Sequence, residues 1–379
     1  MKEVNKKERI FLASPHMGEK EIENINDAFD KNYIAPLGFY VDELERKVSK
    51  YIGAKYAAAL SSGTSAIHLA LKLLNVKQGD YVFCSTLTFA ASVNPIIYEK
   101  AIPVFIDSDK ETFNMSPKAL EKAFQEYIPK AVIVVDIYGQ SADMDKIKKI
   151  CDSYNVPIIE DSAESLGATY KNKMSGTIGK LGAFSFNGNK IITTSGGGML
   201  VSDDEELINK ARFWSTQSKE KEMYYEHKEI GYNYRMSNIS AAIGCGQMEV
   251  LKDRIKKKKY IFNKYKEGFL TIKEISMMPI ADYGKPNYWL SVITLSEKSH
   301  IKPIDIIKVL EHENIESRLV WKPMHLQPVF KKYKFFSNTQ ENISVSEDIF
   351  NRGLCLPSDT KMTDEQIDFV IESVKKMFK

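Results

Sequence analysis

Between residues 54 and 202 short apolar runs alternate with amphipathic stretches, and this rhythm restricts the chain to strands separated by helices in a largely parallel sheet. The expected strands are KYAAAL at 55–60, DYVFCS at 80–85, IPVFID at 102–107, AVIVVD at 131–136, VPIIED at 156–161, GAFSF at 182–186 and GMLVS at 198–202. Between them 64–74, 116–127 and 143–154 carry helical periodicity, with Thr64, Ser116 and Asp143 placed as N-caps. The fold class predicted is a three-layer α/β domain. Three strands end in an acidic residue, Asp107, Asp136 and Asp161, and in open α/β sheets ligands gather at such ends.

After residue 202 the rhythm changes. One long helix is predicted from Ser237 to about Phe269, broken in character by Gly244 and Gly246. A smaller α+β unit follows, with strands at 287–296 and 315–320 and helices at 303–313 and 364–378. At 379 residues the chain exceeds the size at which a single core usually keeps growing. The expected division is a large domain at 1–250 and a small one at 251–379.

Several function classes are excluded by composition. The net charge of +3 offers no field for nucleic acid, and the basic run Lys256 to Lys259 falls on the solvated face of the long helix. No apolar stretch approaches the length needed to span a bilayer, and the N-terminal apolar patch is too short for a signal-peptide core, so the expected location is the cytoplasm. Cys84, Cys151, Cys245 and Cys355 lie far apart, which suggests isolated thiols and no metal site.

Three segments carry candidate chemistry. Ser61-Ser62-Gly63-Thr64-Ser65 turns from a strand into a helix, where unpaired N–H groups and the helix dipole suit a phosphate, although the same residues serve as plain caps. Asp161 closes a strand, where a carboxylate can keep a cofactor's ring nitrogen protonated or simply cap the next turn. Lys190 stands between SFNGN and IITTSGGG. Apolar and small neighbours there would desolvate its amine and lower its pKa, and the glycines allow close approach to a ligand. Gly196-Gly197-Gly198 does not fit a dinucleotide fingerprint, because it precedes a strand instead of following one.

Together these segments resemble the DegT/DnrJ/EryC1/StrS family of pyridoxal phosphate (PLP)-dependent sugar aminotransferases. The resemblance runs through PHMG, NYIAPLG, SSGTSAIHLAL, TFAAS, VFID, YGQSADM, IEDSAESLGATY, GTIGKLGAFSFNGNKIITTSGGGML, GYNYRMSNI and WKPMH. It implies the aspartate-aminotransferase fold (fold type I) and a homodimer with active sites at the subunit interface. By position, Lys190 would be the Schiff-base lysine and Asp161 the partner of the pyridine nitrogen. Glu164 would lie near the ring hydroxyl, and Phe89 would stack on the pyridine face. Gly63, Thr64 and Ser185 would hold the phosphate, and Asn233 would reach it from the neighbouring subunit. Arg235 would meet substrate anions, also from the neighbour, while Arg318, Trp321, Lys322 and His325 are candidates for the nucleotide and pyrophosphate.

The tract FSFNGNKIITTSGGGM points further, to enzymes that aminate C4 of UDP-linked 4-keto-6-deoxy-N-acetylglucosamine with L-glutamate as donor. Ser162, where relatives often have alanine, and Phe184 before Ser185 are mild departures. Some relatives replace the lysine with histidine and dehydrate or deoxygenate the sugar, a branch that Lys190 argues against. The rival readings are an aminotransferase for another keto sugar or keto-inositol, and a catalytically silent PLP-binding regulator.

Overall fold

The computed structural model describes residues 8–339 and 343–378. All seven expected strands form, and they share an eight-stranded sheet with Phe335–Phe336, which joins from far along the chain. In spatial order the strands are Tyr56–Leu60, Gly198–Ser202, Leu181–Ser185, Ile158–Asp161, Ala131–Val135, Tyr81–Ser85, Ile102–Ile106 and Phe335–Phe336. Only Gly198–Ser202 runs against the others. The reason is local. A parallel return needs a crossover, usually helical, and the connection 186–197 forms turns with no helix, so the chain comes back antiparallel.

Alternation along the strands assigns their two faces. Ala58, Leu60, Cys84, Phe105, Ile133 and Leu200 point into one apolar layer, under the helices Gly63–Leu73 and Glu205–Ser215. The opposite face divides into two layers. Ala57, Ala59, Phe184 and Met199 meet the helices Phe39–Ile52 and Asn238–Gly268, whereas Phe83, Val104 and Val132 meet Pro117–Glu126 and Met144–Ser153. Burial on both faces explains why AVIVV is uninterruptedly apolar.

The caps depart from expectation at one helix. Ser62, not Thr64, caps Gly63–Leu73: its hydroxyl accepts from the Ser65 N–H, and the Ser65 hydroxyl accepts from the Ser62 N–H. Ser116 caps its helix through the Ala119 N–H. Asp143 occupies the N-cap position but accepts from the Tyr170 hydroxyl instead.

The long helix Asn238–Gly268 is continuous through both glycines, capped by Ser237. A side chain at Gly244 would lie 2.8 Å from Leu44, and one at Gly246 2.8 Å from the Glu21 backbone nitrogen. These positions let the helices Phe39–Ile52 and Lys20–Asp30 dock closely; they do not interrupt the helix. Its later turns supply Ile261 and Tyr265 to a second core, beside a four-stranded antiparallel sheet built from Ile275–Met277, Ser291–Leu295, Gly353–Leu356 and Arg318–Leu319. A division at residue 250 falls inside this helix, and we propose it only as the point where the packing partners change. No helix among the described residues is long and apolar enough to cross a membrane.

Candidate functional site

At the carboxyl ends of the central strands a cavity of about 430 Å³ opens, reached by several segments distant in sequence. The helix start Gly63–Thr64 forms one wall, with Ser61 and Ser62 beside it. The capping box uses the Ser62 and Ser65 N–H groups, and the positive end of the helix dipole points where an anion would sit. Ser185, at the end of its strand, lies against Gly63: a side chain there would come within 3.0 Å of the serine Cβ.

The three glycines after the lysine divide the work. Gly198 is where the protein's own turn approaches, since a Cβ would sit 2.3 Å from the Ser62 carbonyl carbon. Gly197 faces Thr194 and Met236. Gly196 lines the cavity with nothing within 4 Å of a built Cβ, so it alone keeps the open approach expected of the run.

Asp161 is buried at the cavity floor. Its carboxylate accepts from the Ser92 hydroxyl at 2.5 Å and from the Ala163 N–H at 3.2 Å. Ser92 in turn lies 2.6 Å from the Thr88 hydroxyl, so a short hydroxyl chain backs the carboxylate. Burial raises the Asp161 pKa above its ordinary value, against the pull of Ser92, Ala163 and Lys190. Ser162, with Ser165, donates to the buried Asp136, which fixes the turn that follows Asp161.

The Lys190 amine lies 3.8 Å from Glu164, an ion-pair separation longer than a direct hydrogen bond. Burial lowers its pKa from that of an ordinary lysine, with Glu164 and Asp161 opposing. Glu164 is pushed up to about 7 by burial, against Lys190 and the Tyr138 N–H, which donates to it at 2.6 Å. Tyr138 reaches that position with a left-handed backbone, φ 53°. This conformation is costly for a bulky residue and is retained here beside the site.

Of the remaining predicted residues, Phe89, Arg318 and Trp321 also line this cavity. Phe89 is 60% exposed at the mouth and packs against Trp321 at 5.6 Å. Arg318 is exposed and pairs with Glu316. Four others stand elsewhere within the chain. Arg235 is committed to Glu45 at 2.5 Å and to the Ala59 carbonyl, with only 7% of its side chain exposed. Asn233 is exposed and bridges to Thr216, and Lys322 is exposed outside the cavity lining. His325 is held inward by Thr86 at 2.7 Å and stacks on Phe335, joining the strand end at Ser85 to the later part of the chain.

Sequence reasoning missed Ser92, Asn187, Asn189 and Trp289, all in the cavity lining. Thr88 and Ser92 could have been found from their four-residue spacing around a predicted site residue. Trp289 carried no local signal.

An amine, a buried carboxylate and a helix N-terminus around one cavity match the aldehyde, pyridine nitrogen and phosphate of PLP, so the residues present fit that cofactor. Among the described residues no cluster suited to a metal ion occurs. Comparison with known proteins supports the fit to PLP. The pattern of the DegT/DnrJ/EryC1/StrS aminotransferase family matches residues 15–375. EpsN of Bacillus subtilis (strain 168), provisionally named a pyridoxal phosphate-dependent aminotransferase, is 52% identical, covering 98% of this chain and 96% of its own. A GDP-perosamine synthase of Escherichia coli O157:H7 is 36% identical, over 97% and 98% of the two chains. The UDP-4-amino-4,6-dideoxy-N-acetyl-beta-L-altrosamine transaminase of Campylobacter jejuni (strain 81-176) is 31% identical, over 97% and 99%. Among solved structures, the PLP form of Spr1654 from Streptococcus pneumoniae, provisionally named a sugar aminotransferase, superposes with a TM-score of 0.89 at 27% identity, over 97% and 98%. The fold is accordingly that of the type I aminotransferases.

Proposed function

This chain belongs to the DegT/DnrJ/EryC1/StrS aminotransferase family and is a PLP-dependent nucleotide-sugar aminotransferase; from that premise we propose that it carries the amino group of L-glutamate to C4 of UDP-linked 4-keto-6-deoxy-N-acetylglucosamine, in the cytoplasm, for surface glycan or polysaccharide synthesis. The observation that carries the chemistry is the meeting of Lys190, Asp161 and the Gly63–Thr64 helix start around one cavity. The UDP sugar is supported by the tract around Lys190 and by the Campylobacter relative's name. The Escherichia relative's name favours a second reading, a GDP-linked keto sugar.

PLP, when bound, supplies an aldehyde that exchanges amino groups and a ring that accepts electron density. Lys190 would hold the aldehyde carbon and, once displaced by the donor's amine, move a proton at the donor's α-carbon and later at the sugar's C4. Asp161 would keep the ring nitrogen protonated, with Ser92 and the Ala163 N–H holding its carboxylate in place. Glu164, poised near neutrality, can meet the ring hydroxyl as acceptor or donor. Gly63, Thr64 and Ser185 would take the phosphate, Phe89 the ring face, and Arg318 and Trp321 the nucleotide portion.

The working unit proposed is a homodimer. Tyr33, Leu37 and Phe39 are exposed apolar residues lining a groove with Arg235, two residues along the chain from Asn233, and Ile230 is exposed three residues before it, an apolar surface that suits a second copy. Lys322 and His325 stay as proposals for nucleotide contact and Arg235 for substrate anions of the neighbouring subunit; none of the three lines the cavity of its own chain.

The test is direct. Purified protein with PLP and L-glutamate is offered UDP- and GDP-linked 4-keto-6-deoxy sugars, with mass detection of the amino sugar and assay of 2-oxoglutarate. Amination of the UDP sugar alone is expected. Preferential amination of the GDP sugar would replace the first reading with the second.

A further inference from the structure

Trp289 is fully buried, and the Lys190 amine lies over its indole ring, 4.1 Å from the centroid. The charged groups that face this amine are Glu164, at 3.8 Å, and Asp161. Each polar group of Trp289 is tied to a different segment. Its N–H donates to the Asn287 side-chain oxygen at 2.9 Å, its carbonyl accepts from Lys258 at 2.8 Å, and its indole N–H donates to the Asn189 carbonyl at 2.8 Å. Asn189 immediately precedes the lysine.

Asn287 itself is wholly buried and donates to the carbonyls of Glu164 at 2.8 Å and Leu166 at 3.0 Å. A single amide therefore fixes the aromatic face and the backbone of Glu164 against each other. Tyr138 stacks on Trp289 at 6.5 Å and sends its backbone N–H to Glu164. Both neighbours of the amine are thus held by one rigid set of contacts.

We propose that Trp289 is a positioning residue that seats the Lys190 amine over its ring and beside Glu164 whenever that amine is free of the cofactor and carries a proton. The proposal rests on the cofactor reading above. A desolvated aromatic face stabilises a cation without being able to accept its proton. Glu164, at 3.8 Å, also favours the charged amine, so the ring and the carboxylate act in the same direction. The seat favours the protonated amine and holds it at a fixed place between taking up a proton and delivering it. It also offsets part of the burial that disfavours the charged amine.

The test reads the amine, not turnover. In full-length protein freed of PLP, trace acetylation with acetic anhydride over a pH series, with mass detection of the Lys190 peptide, gives the midpoint at which the amine becomes nucleophilic. Accessibility changes the plateau of such a curve, while proton affinity moves its midpoint. Trp289→Leu is expected to lower the midpoint by about one pH unit, a tenfold change in the neutral amine at a given pH. Trp289→Phe, which retains a ring face, is expected to stay within about threefold of the native protein.

Should the leucine variant fail to fold, incorporation of tryptophan bearing increasing numbers of fluorines keeps the ring's shape and weakens its face. The midpoint should then fall stepwise. A flat fluorine series, or a phenylalanine variant that shifts as far as the leucine one, overturns the proposal. Borohydride capture of PLP on Lys190 in the native protein tests the cofactor reading separately. Failed capture sinks that reading whatever the labelling shows, and normal capture with a flat series sinks the seat alone.

Discussion

The Ser92 hydroxyl donates to the Asp161 carboxylate at 2.5 Å, and Thr88 stands behind it at 2.6 Å. A hydrogen bond to a buried charge is worth about 1.5–3 kcal/mol. Ser92→Ala should therefore weaken PLP binding about tenfold or more, read by spectrophotometric titration, while Thr88→Val should have a smaller effect in the same direction. Equal affinity in native protein and Ser92→Ala would remove this serine from the site.

Lys190→Ala should retain PLP through the remaining contacts, lose borohydride capture, and lose turnover by about a thousandfold or more. Single-turnover assay with glutamate checks it. An active Lys190→Ala variant would sink the proposed proton route.

Between about pH 4.5 and 7 stability should fall with rising pH in the PLP-free protein. Glu164 has a folded pKa raised to about 7 from 4.5, so its contribution is fully present below about 4.5 and is lost as pH rises through 7. Asp136, raised to about 6, and Glu160, raised to about 7, act in the same sense. Glu164→Gln should flatten the decline, gaining on the order of 2 kcal/mol above pH 7, measured by urea unfolding between pH 5 and 8.

Gly198→Ala and Gly196→Ala should differ sharply. The first would drive a methyl into the Ser62 carbonyl and deform the expected phosphate turn, whereas the second meets nothing within 4 Å. PLP affinity should fall about tenfold or more for Gly198→Ala and change little for Gly196→Ala.

Arg235→Ala should act on stability first. It leaves Glu45, itself 6% exposed, with Arg212 as its remaining guanidinium partner. Loss of one partner of a buried pair costs about 3–5 kcal/mol, reduced here by Arg212. A lowered midpoint of unfolding with PLP affinity intact is the expected outcome.

Much of the fold was legible because its signals are local. VPIIED and GAFSF announce strands by their own composition, and the positions of Asp161 and Lys190 follow from where those strands end. The run SSGTS shows the limit of this reasoning: four of its five residues can cap a helix, and only the reciprocal bonds between Ser62 and Ser65 decide among them. Trp289 was silent because it meets Asn189 across 100 residues, and Arg235 looked available because Glu45 lies 190 residues away. Gly244 and Gly246 resembled breaks in a helix until the neighbours that need their missing side chains were in place.

The single antiparallel strand has a consequence for the order of assembly. Tyr56–Leu60 borders the sheet only through Gly198–Ser202, so the turn that follows it, the proposed phosphate end of the site, has no sheet to lean on until residue 202 has been synthesised. Trp289 and Trp321 arrive later still. Pairings this distant in sequence form late in folding, because loop closure must precede any gain from contact. The proposed cofactor lysine is therefore made before the walls of its cavity are complete, and PLP is expected to select molecules that have completed the fold.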